Sequence, residues 1–221
     1  RFGNRRDIVL VDQRGTGKSA PLKCDVEDPW QPLATLVNPQ RQVAQILKCR
    51  DQLQALPYGD MRFFTTHIAM GDADAVRQVL GAERINAVGA SYGTRAVLEY
   101  MRQFPQQVRA AVIDGVAPPD MVLMASSLTD SQAALDAVFA ACKASADCER
   151  QHPQLQQRVR AWLGSLPREI TVDHPASGKP ESMVLTQDTV MQALRLPLYA
   201  PSFAAAIPEA LSAAMDARYE P

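Results

Sequence analysis

The stretch Val88-Gly89-Ala90-Ser91-Tyr92-Gly93-Thr94 constrains this chain more than any other. The apolar run Ile85-Asn86-Ala87-Val88 leads in and Arg95-Ala96-Val97-Leu98-Glu99-Tyr100-Met101 leads out, so the Gly-x-Ser-x-Gly pattern falls where a strand turns into a helix. A serine at such an apex occupies strained backbone space, and the glycines two residues before and after it are expected to let strand and helix pack without a Cβ collision. The hydroxyl is pushed into the open. The backbone N–H of Tyr92, at the start of the following helix, then faces the place where an oxyanion forms during acyl transfer. Ser91 is therefore read as a nucleophile and the Tyr92 N–H as an oxyanion donor. The competing reading, a chance match in a tight turn, is disfavoured by the flanking strand and helix.

A chain of 221 residues, 47% hydrophobic, is long enough for one large domain or a domain with an appended cap. Its net charge of −1, with no basic block, recommends no nucleic-acid partner. No apolar run approaches the ~20 residues that span a bilayer. The opening Arg1-Phe2-Gly3-Asn4-Arg5-Arg6 is polar and leads directly into an apolar run, which is not the pattern of a signal peptide. Four cysteines, Cys24, Cys49, Cys142 and Cys148, allow three pairings. Cys142 and Cys148 can close a small loop, leaving Cys24 for Cys49, but four buried free thiols fit the sequence equally well. Zinc is disfavoured, since neither a Cys-x-x-Cys pair nor a histidine at ligand spacing accompanies them.

Asp7-Ile8-Val9-Leu10-Val11 reads as a parallel strand covered on both faces. It opens onto Asp12-Gln13-Arg14-Gly15-Thr16-Gly17-Lys18-Ser19. A phosphate-binding loop would need glycine where Asp12 stands and a helix where Ala20-Pro21 follows, so that reading fails. A structural loop remains, with Asp12 and Arg14 as candidates for an internal ion pair. Residues 22–37 look irregular. A helix from Asn38-Pro39 to about Leu56 is expected to turn Val43, Ile46, Leu47, Leu53 and Leu56 inward. A second, from about Thr66 to Leu80, stops at Gly81. Its His67 reads as a surface or packing residue rather than a base. Val108 to Asp114 is the next strand, which makes strand–helix–strand around the serine a parallel βαβ unit. Asp114 ends that strand, where open α/β sheets place their chemistry, but reads as a structural partner before a triad acid.

Beyond Asp120 helical patterns dominate, at about 130–144, 153–165, 187–196 and 202–217, the last broken near Pro208. A hairpin is expected from Ile170-Thr171-Val172 and Ser182-Met183-Val184-Leu185, with His174 solvated in its turn. This block is read as a cap inserted after the third strand.

Taken together, Asp12-Gln13-Arg14-Gly15-Thr16-Gly17-Lys18-Ser19, Gly89-Ala90-Ser91-Tyr92-Gly93-Thr94-Arg95 and the run from Phe104-Pro105 to Pro118-Pro119 resemble the α/β-hydrolase fold. The closer resemblance is to the proline iminopeptidase and tripeptidyl aminopeptidase group of serine peptidases. It implies an α/β core segment over residues 1–119, with parallel sheet strands and flanking helices, and a mainly helical cap over 120–221 that would limit access to short substrates. It also implies disulfides and a secreted or periplasmic location. Members of that group carry a His-Gly-Gly-Pro-Gly-like oxyanion loop upstream, and an acid and a histidine beyond the cap. Those features are expected to lie outside this chain, because His67, His152 and His174 do not match the family's catalytic histidine. The chain is then part of a longer hydrolase that attacks a peptide or small acyl substrate through Ser91, and the missing flanking segments would complete it.

Two other readings stay open. One is an esterase or lipase on the same fold. The other is a non-catalytic fragment that binds a ligand or a complementary chain. No metal or organic cofactor is implied, since acyl transfer by this route uses none.

Overall fold

The computed structural model describes residues 6–24, 28 and 30–219, apart from the side chains of residues 123–125. The polar opening Arg1-Phe2-Gly3-Asn4-Arg5 lies outside them. In chain order the helices and strands are α1 (Leu33–Leu36), α2 (Pro39–Gln54), α3 (Thr66–Val79), β1 (Ile85–Ala90), α4 (Tyr92–Gln103) and β2 (Val108–Asp114). There follow α5 (Leu123–Ala144), α6 (Ala146–Gln151), α7 (Leu155–Gly164), β3 (Arg168–Asp173), β4 (Pro180–Leu185), α8 (Gln187–Arg195), α9 (Pro201–Ala204) and α10 (Ile207–Met215). The fold is mixed α/β. Two compact units form, one within residues 1–26 and 47–121 and the other within 27–46 and 122–221.

The first unit is built around β1 and β2, which pair in parallel from Ile85 opposite Val108 to Ala90 opposite Asp114, with one irregularity after Ile85. A parallel pair needs a crossover, and α4 supplies it. The Thr65 hydroxyl caps α3 by accepting the Ile68 N–H, and Gly81 at φ +68° ends the helical path just beyond it. Helices α3 and α4 pack on each other, and the buried Tyr100 phenol of α4 donates to Asp74 of α3. The expected strand at 7–11 does not form. That run is exposed, with Leu10 at 91%, and among the described residues no strand pairs with it. An extended segment is a strand only by virtue of a partner. The inward face expected for α2 is realised at Leu53, whereas Val43, Ile46 and Leu47 are exposed.

The second unit holds the larger core. Leu135, Phe139 and Cys142 from α5, Val159 and Trp162 from α7, and Val190 and Leu194 from α8 are buried together with Ile207 and Leu211 of α10. Their spacing in each helix follows the three-and-four rule of an apolar stripe. The expected hairpin is present, β3 and β4 pairing antiparallel from Arg168 opposite Leu185 to Asp173 opposite Pro180, and its inner residues Ile170, Met183 and Leu185 join that core. Helix α1 packs on β4, where the Leu33 N–H donates to Glu181 at 2.9 Å. Pro208 stands in the first turn of α10, where its missing N–H is harmless, so the last helical stretch is divided as expected.

His174 departs from expectation. It lies just past β3, but it is 1% exposed rather than solvated. The four cysteines form Cys24–Cys49 and Cys142–Cys148, with Cα atoms 5.3 and 5.1 Å apart, within the usual span of a disulfide. Among the described residues no helix is long and apolar enough to cross a membrane.

Candidate active site

Ser91 sits between the last residue of β1 and the first of α4 at φ 52° and ψ −120°. A non-glycine residue there is strained by roughly 1–3 kcal/mol and persists only where its surroundings over-determine it. Three hydrogen bonds to its backbone do so. The Ser91 N–H donates to the Asp114 carbonyl at the end of β2 (2.9 Å), and the Ser91 carbonyl accepts both the Thr94 N–H (3.0 Å) and the Thr94 hydroxyl (2.7 Å). Thr94 is wholly buried, and its hydroxyl oxygen in turn accepts the Ala117 N–H at 2.9 Å. The turn is thus clamped from β2, from α4 and from the chain beyond Gly115.

The two glycines of the motif differ in what they permit. A Cβ on Gly89 would overlap the Gly93 carbonyl, so strand and helix approach as closely as they do because position 89 has no side chain. A Cβ on Gly93 would meet open space, so the expected collision arises on the strand side alone. Tyr92 opens α4, and the N–H groups of a helix's first turn have no acceptor within the helix. Ser91 and Tyr92 are both exposed. The apex of the turn is thus open to solvent.

The Asp12–Ser19 loop is tied to the same unit. Arg14 does not pair with Asp12. Its guanidinium grips Asp72 of α3 in a two-point ion pair (2.6 and 2.5 Å) and donates to the Phe63 carbonyl at 2.8 Å. Asp12 instead accepts the Lys18 N–H at 2.9 Å across a turn in which Gly15 and Gly17 take φ +88° and +52°. A Cβ on Gly17 would overlap the Asp12 carboxylate as it now stands, so a side chain there would displace the group that accepts the Lys18 N–H. Next to Arg14, the Gln13 amide donates to the Tyr92 phenol oxygen at 3.2 Å, and that phenol lies 2.9 Å from the Thr66 hydroxyl. Loop, α3 and elbow are joined at Tyr92.

Charged groups nearby are paired. Asp74 is buried and accepts from Arg77, Gln78 and the Tyr100 phenol. The Arg77 bond above all draws its carboxyl down to about 2, against the opposing effect of burial. Burial, with Asp74 beside it, pushes the Tyr100 phenol up to about 12. Glu99 accepts from Arg102, from the His67 ring at 2.8 Å and from Gln103, and these bonds, Arg102 first, hold it at about 2. His67 is thus an exposed histidine occupied by Glu99. His152 and His174 belong to the other unit, where His152 lies 2.9 Å from the Ser212 hydroxyl and His174 is held by backbone groups. Among the described residues no hydrogen bond reaches the Ser91 hydroxyl, and no group of three or more His, Cys, Asp or Glu could hold a metal ion.

What sequence reasoning missed here is Thr94, the Asp114 carbonyl and the link from Gln13 and Thr66 to Tyr92. The first follows Gly93 directly and could have been noticed as a buried polar residue in a helical stripe. The others join residues far apart in the chain, which no local pattern marks.

A protein family described as alpha/beta hydrolase fold matches residues 2–176. The serine protease Hip1 of Mycobacterium tuberculosis is 28% identical over 169 residues, which are 67% of this chain and 31% of that protein. The tripeptidyl aminopeptidase of Streptomyces lividans is 34% identical over 127 residues, 51% of this chain and 22% of that protein. The chain thus spans a third or less of the length of these relatives.

Proposed function

This chain belongs to the α/β-hydrolase fold family, and from that premise we propose that it carries the nucleophile of a serine peptidase that releases N-terminal residues or short peptides. The observation that carries the reading is Ser91 held at φ 52° by bonds on both sides of its backbone, with its hydroxyl unengaged. In the proposed reaction Ser91 Oγ attacks the scissile carbonyl carbon and its proton passes to a base. The Tyr92 N–H donates to the oxyanion, the tetrahedral intermediate collapses to an acyl-enzyme as the protonated amine leaves, and water then releases the acyl group. The base, its acid partner and the second oxyanion N–H are assigned outside the described residues, since His67, His152 and His174 are committed elsewhere. The peptidase names of the two relatives support an amide substrate, and the disulfides fit a secreted or periplasmic setting.

Labelling with a fluorophosphonate probe tests this on residues 1–221 and on a version extended at both ends, each with Ser91→Ala. Labelling of the extended protein that disappears in the alanine variant, with turnover of aminoacyl or tripeptidyl chromogenic amides, is the expected result. Cleavage of short acyl esters without amide cleavage would move the assignment to an esterase. No labelling of either protein would leave a non-catalytic binding module.

A further inference from the structure

We infer that Thr94 is the positioning residue of the oxyanion donor, aiming the Tyr92 N–H by gripping the carbonyl of the same peptide. The inference rests on the serine hydrolase reading above, and its argument is geometric. The peptide between Ser91 and Tyr92 is planar and trans, so its carbonyl and its N–H point in opposite directions. Whatever fixes the one fixes the other. The Ser91 carbonyl is fixed twice by Thr94, through the backbone N–H at 3.0 Å and the hydroxyl at 2.7 Å. The first bond is of the kind that any residue in a helix's opening turn can make. The second exists only because position 94 carries a hydroxyl.

That hydroxyl has no freedom to do anything else. Thr94 is 0% exposed, and its oxygen accepts the Ala117 N–H at 2.9 Å, so its single proton is left to the Ser91 carbonyl. The bond also acts where the backbone is least stable. Rotating the Ser91–Tyr92 peptide would carry ψ of Ser91 from −120° toward the left-handed well that φ 52° permits, and it would swing the N–H away from the developing oxyanion. Water cannot substitute at a site with no exposure. A threonine whose side chain never meets substrate thereby governs where the electrophilic donor stands.

The test uses the full-length protein with Thr94→Val, which keeps the shape, Thr94→Ala as a second truncation in case the valine fails to fold, and Thr94→Ser, which keeps the hydroxyl. Each is assayed for kcat and KM on a chromogenic amide and for affinity toward a boronic acid that mimics the tetrahedral intermediate. Misaiming one donor is expected to lower kcat by about 10- to 100-fold, to weaken the boronate in parallel and to leave KM within about 3-fold, with serine restoring both. A purely structural role would lower the folded fraction without that parallel loss in the remaining folded protein. Valine and alanine variants with unchanged kcat and boronate affinity would overturn the inference, as would a serine variant no better than either. Wild-type protein that neither turns over substrate nor binds the boronate would instead remove the hydrolase reading on which the inference stands.

Discussion

The ring of His174 donates from Nε2 to the carbonyl of Gln31 at 3.1 Å, joining the turn of the β3–β4 hairpin to a segment 143 positions earlier. Its other nitrogen accepts the N–H groups of Ala176 (3.1 Å) and Ser177 (3.2 Å), so the partners define a neutral Nε2–H tautomer. All three bonds are sheltered, since the side chain is 1% exposed. His174→Ala should therefore remove a buried ring and strand two N–H groups, at a cost of about 2–4 kcal/mol. Chemical denaturation of the variant checks the size. Hydrogen exchange at Ala176 and Ser177 checks the place, and unchanged protection there would refute the assigned role.

Asp74 makes the first unit sensitive to acid. Its carboxyl is held near 2, below the ordinary carboxylate value, chiefly by Arg77. A depressed folded-state pKa contributes stability that is fully present above the unfolded value and is lost as pH falls through the folded one, here between about pH 4 and pH 2. The contribution is at most about 2 kcal/mol for a buried group shifted this far. Glu99, also drawn to about 2, adds to the loss in the same window. Urea midpoints measured from pH 7 to pH 2 should fall most steeply below pH 4, and Asp74→Asn should be weaker at neutral pH with a shallower acid slope. An equally steep slope in the variant would place the sensitivity elsewhere.

How much of this was readable from the sequence depends on how far apart the interacting residues lie. The elbow was legible because its signal is local: glycine, serine and the change from strand to helix fall within seven consecutive residues. The strand at Val108–Asp114 and the hairpin were legible for the same reason, as apolar runs bounded by turn residues. Local spacing points Arg14 to Asp12, two positions away, whereas its partner Asp72 lies 58 positions on. A turn position implies a solvated His174, whereas the ring folds back onto its own turn and a distant carbonyl. The run at 7–11 was apolar enough to be a strand, yet strand character comes from a pairing partner, which apolarity alone does not supply.

The two disulfides should differ in worth. Cys24 and Cys49 are 25 positions apart and Cys142 and Cys148 only 6, so the entropy each removes from the unfolded chain corresponds to about 3.5 and about 2 kcal/mol. Cys142 also belongs to the core of the second unit, so its replacement perturbs packing as well. Paired alanine substitutions at 24/49 and at 142/148, compared by urea denaturation with and without reductant, separate the two. Reductant should then destabilise each variant only by the amount of its remaining bridge. A wild type indifferent to reductant would rule out both bridges in solution.

The sharpest test of the elbow compares its two glycines, which the motif treats alike. A methyl group on Gly89 would overlap the Gly93 carbonyl, a rigid backbone group, so β1 and α4 would have to separate to admit it. That separation would pull on the Ser91 N–H to Asp114 bond and on the Ser91 carbonyl to Thr94 bonds together. Gly89→Ala should cost about 3 kcal/mol and abolish probe labelling at Ser91. A methyl group on Gly93 faces open space within α4, where alanine is the better helix former by about 1 kcal/mol. Gly93→Ala should therefore keep its thermal stability or gain a little, and any loss of turnover would then report an obstruction to substrate. Thermal unfolding and fluorophosphonate labelling of both variants decide the matter. If both are equally destabilised, the packing of strand against helix does not depend on position 89 alone.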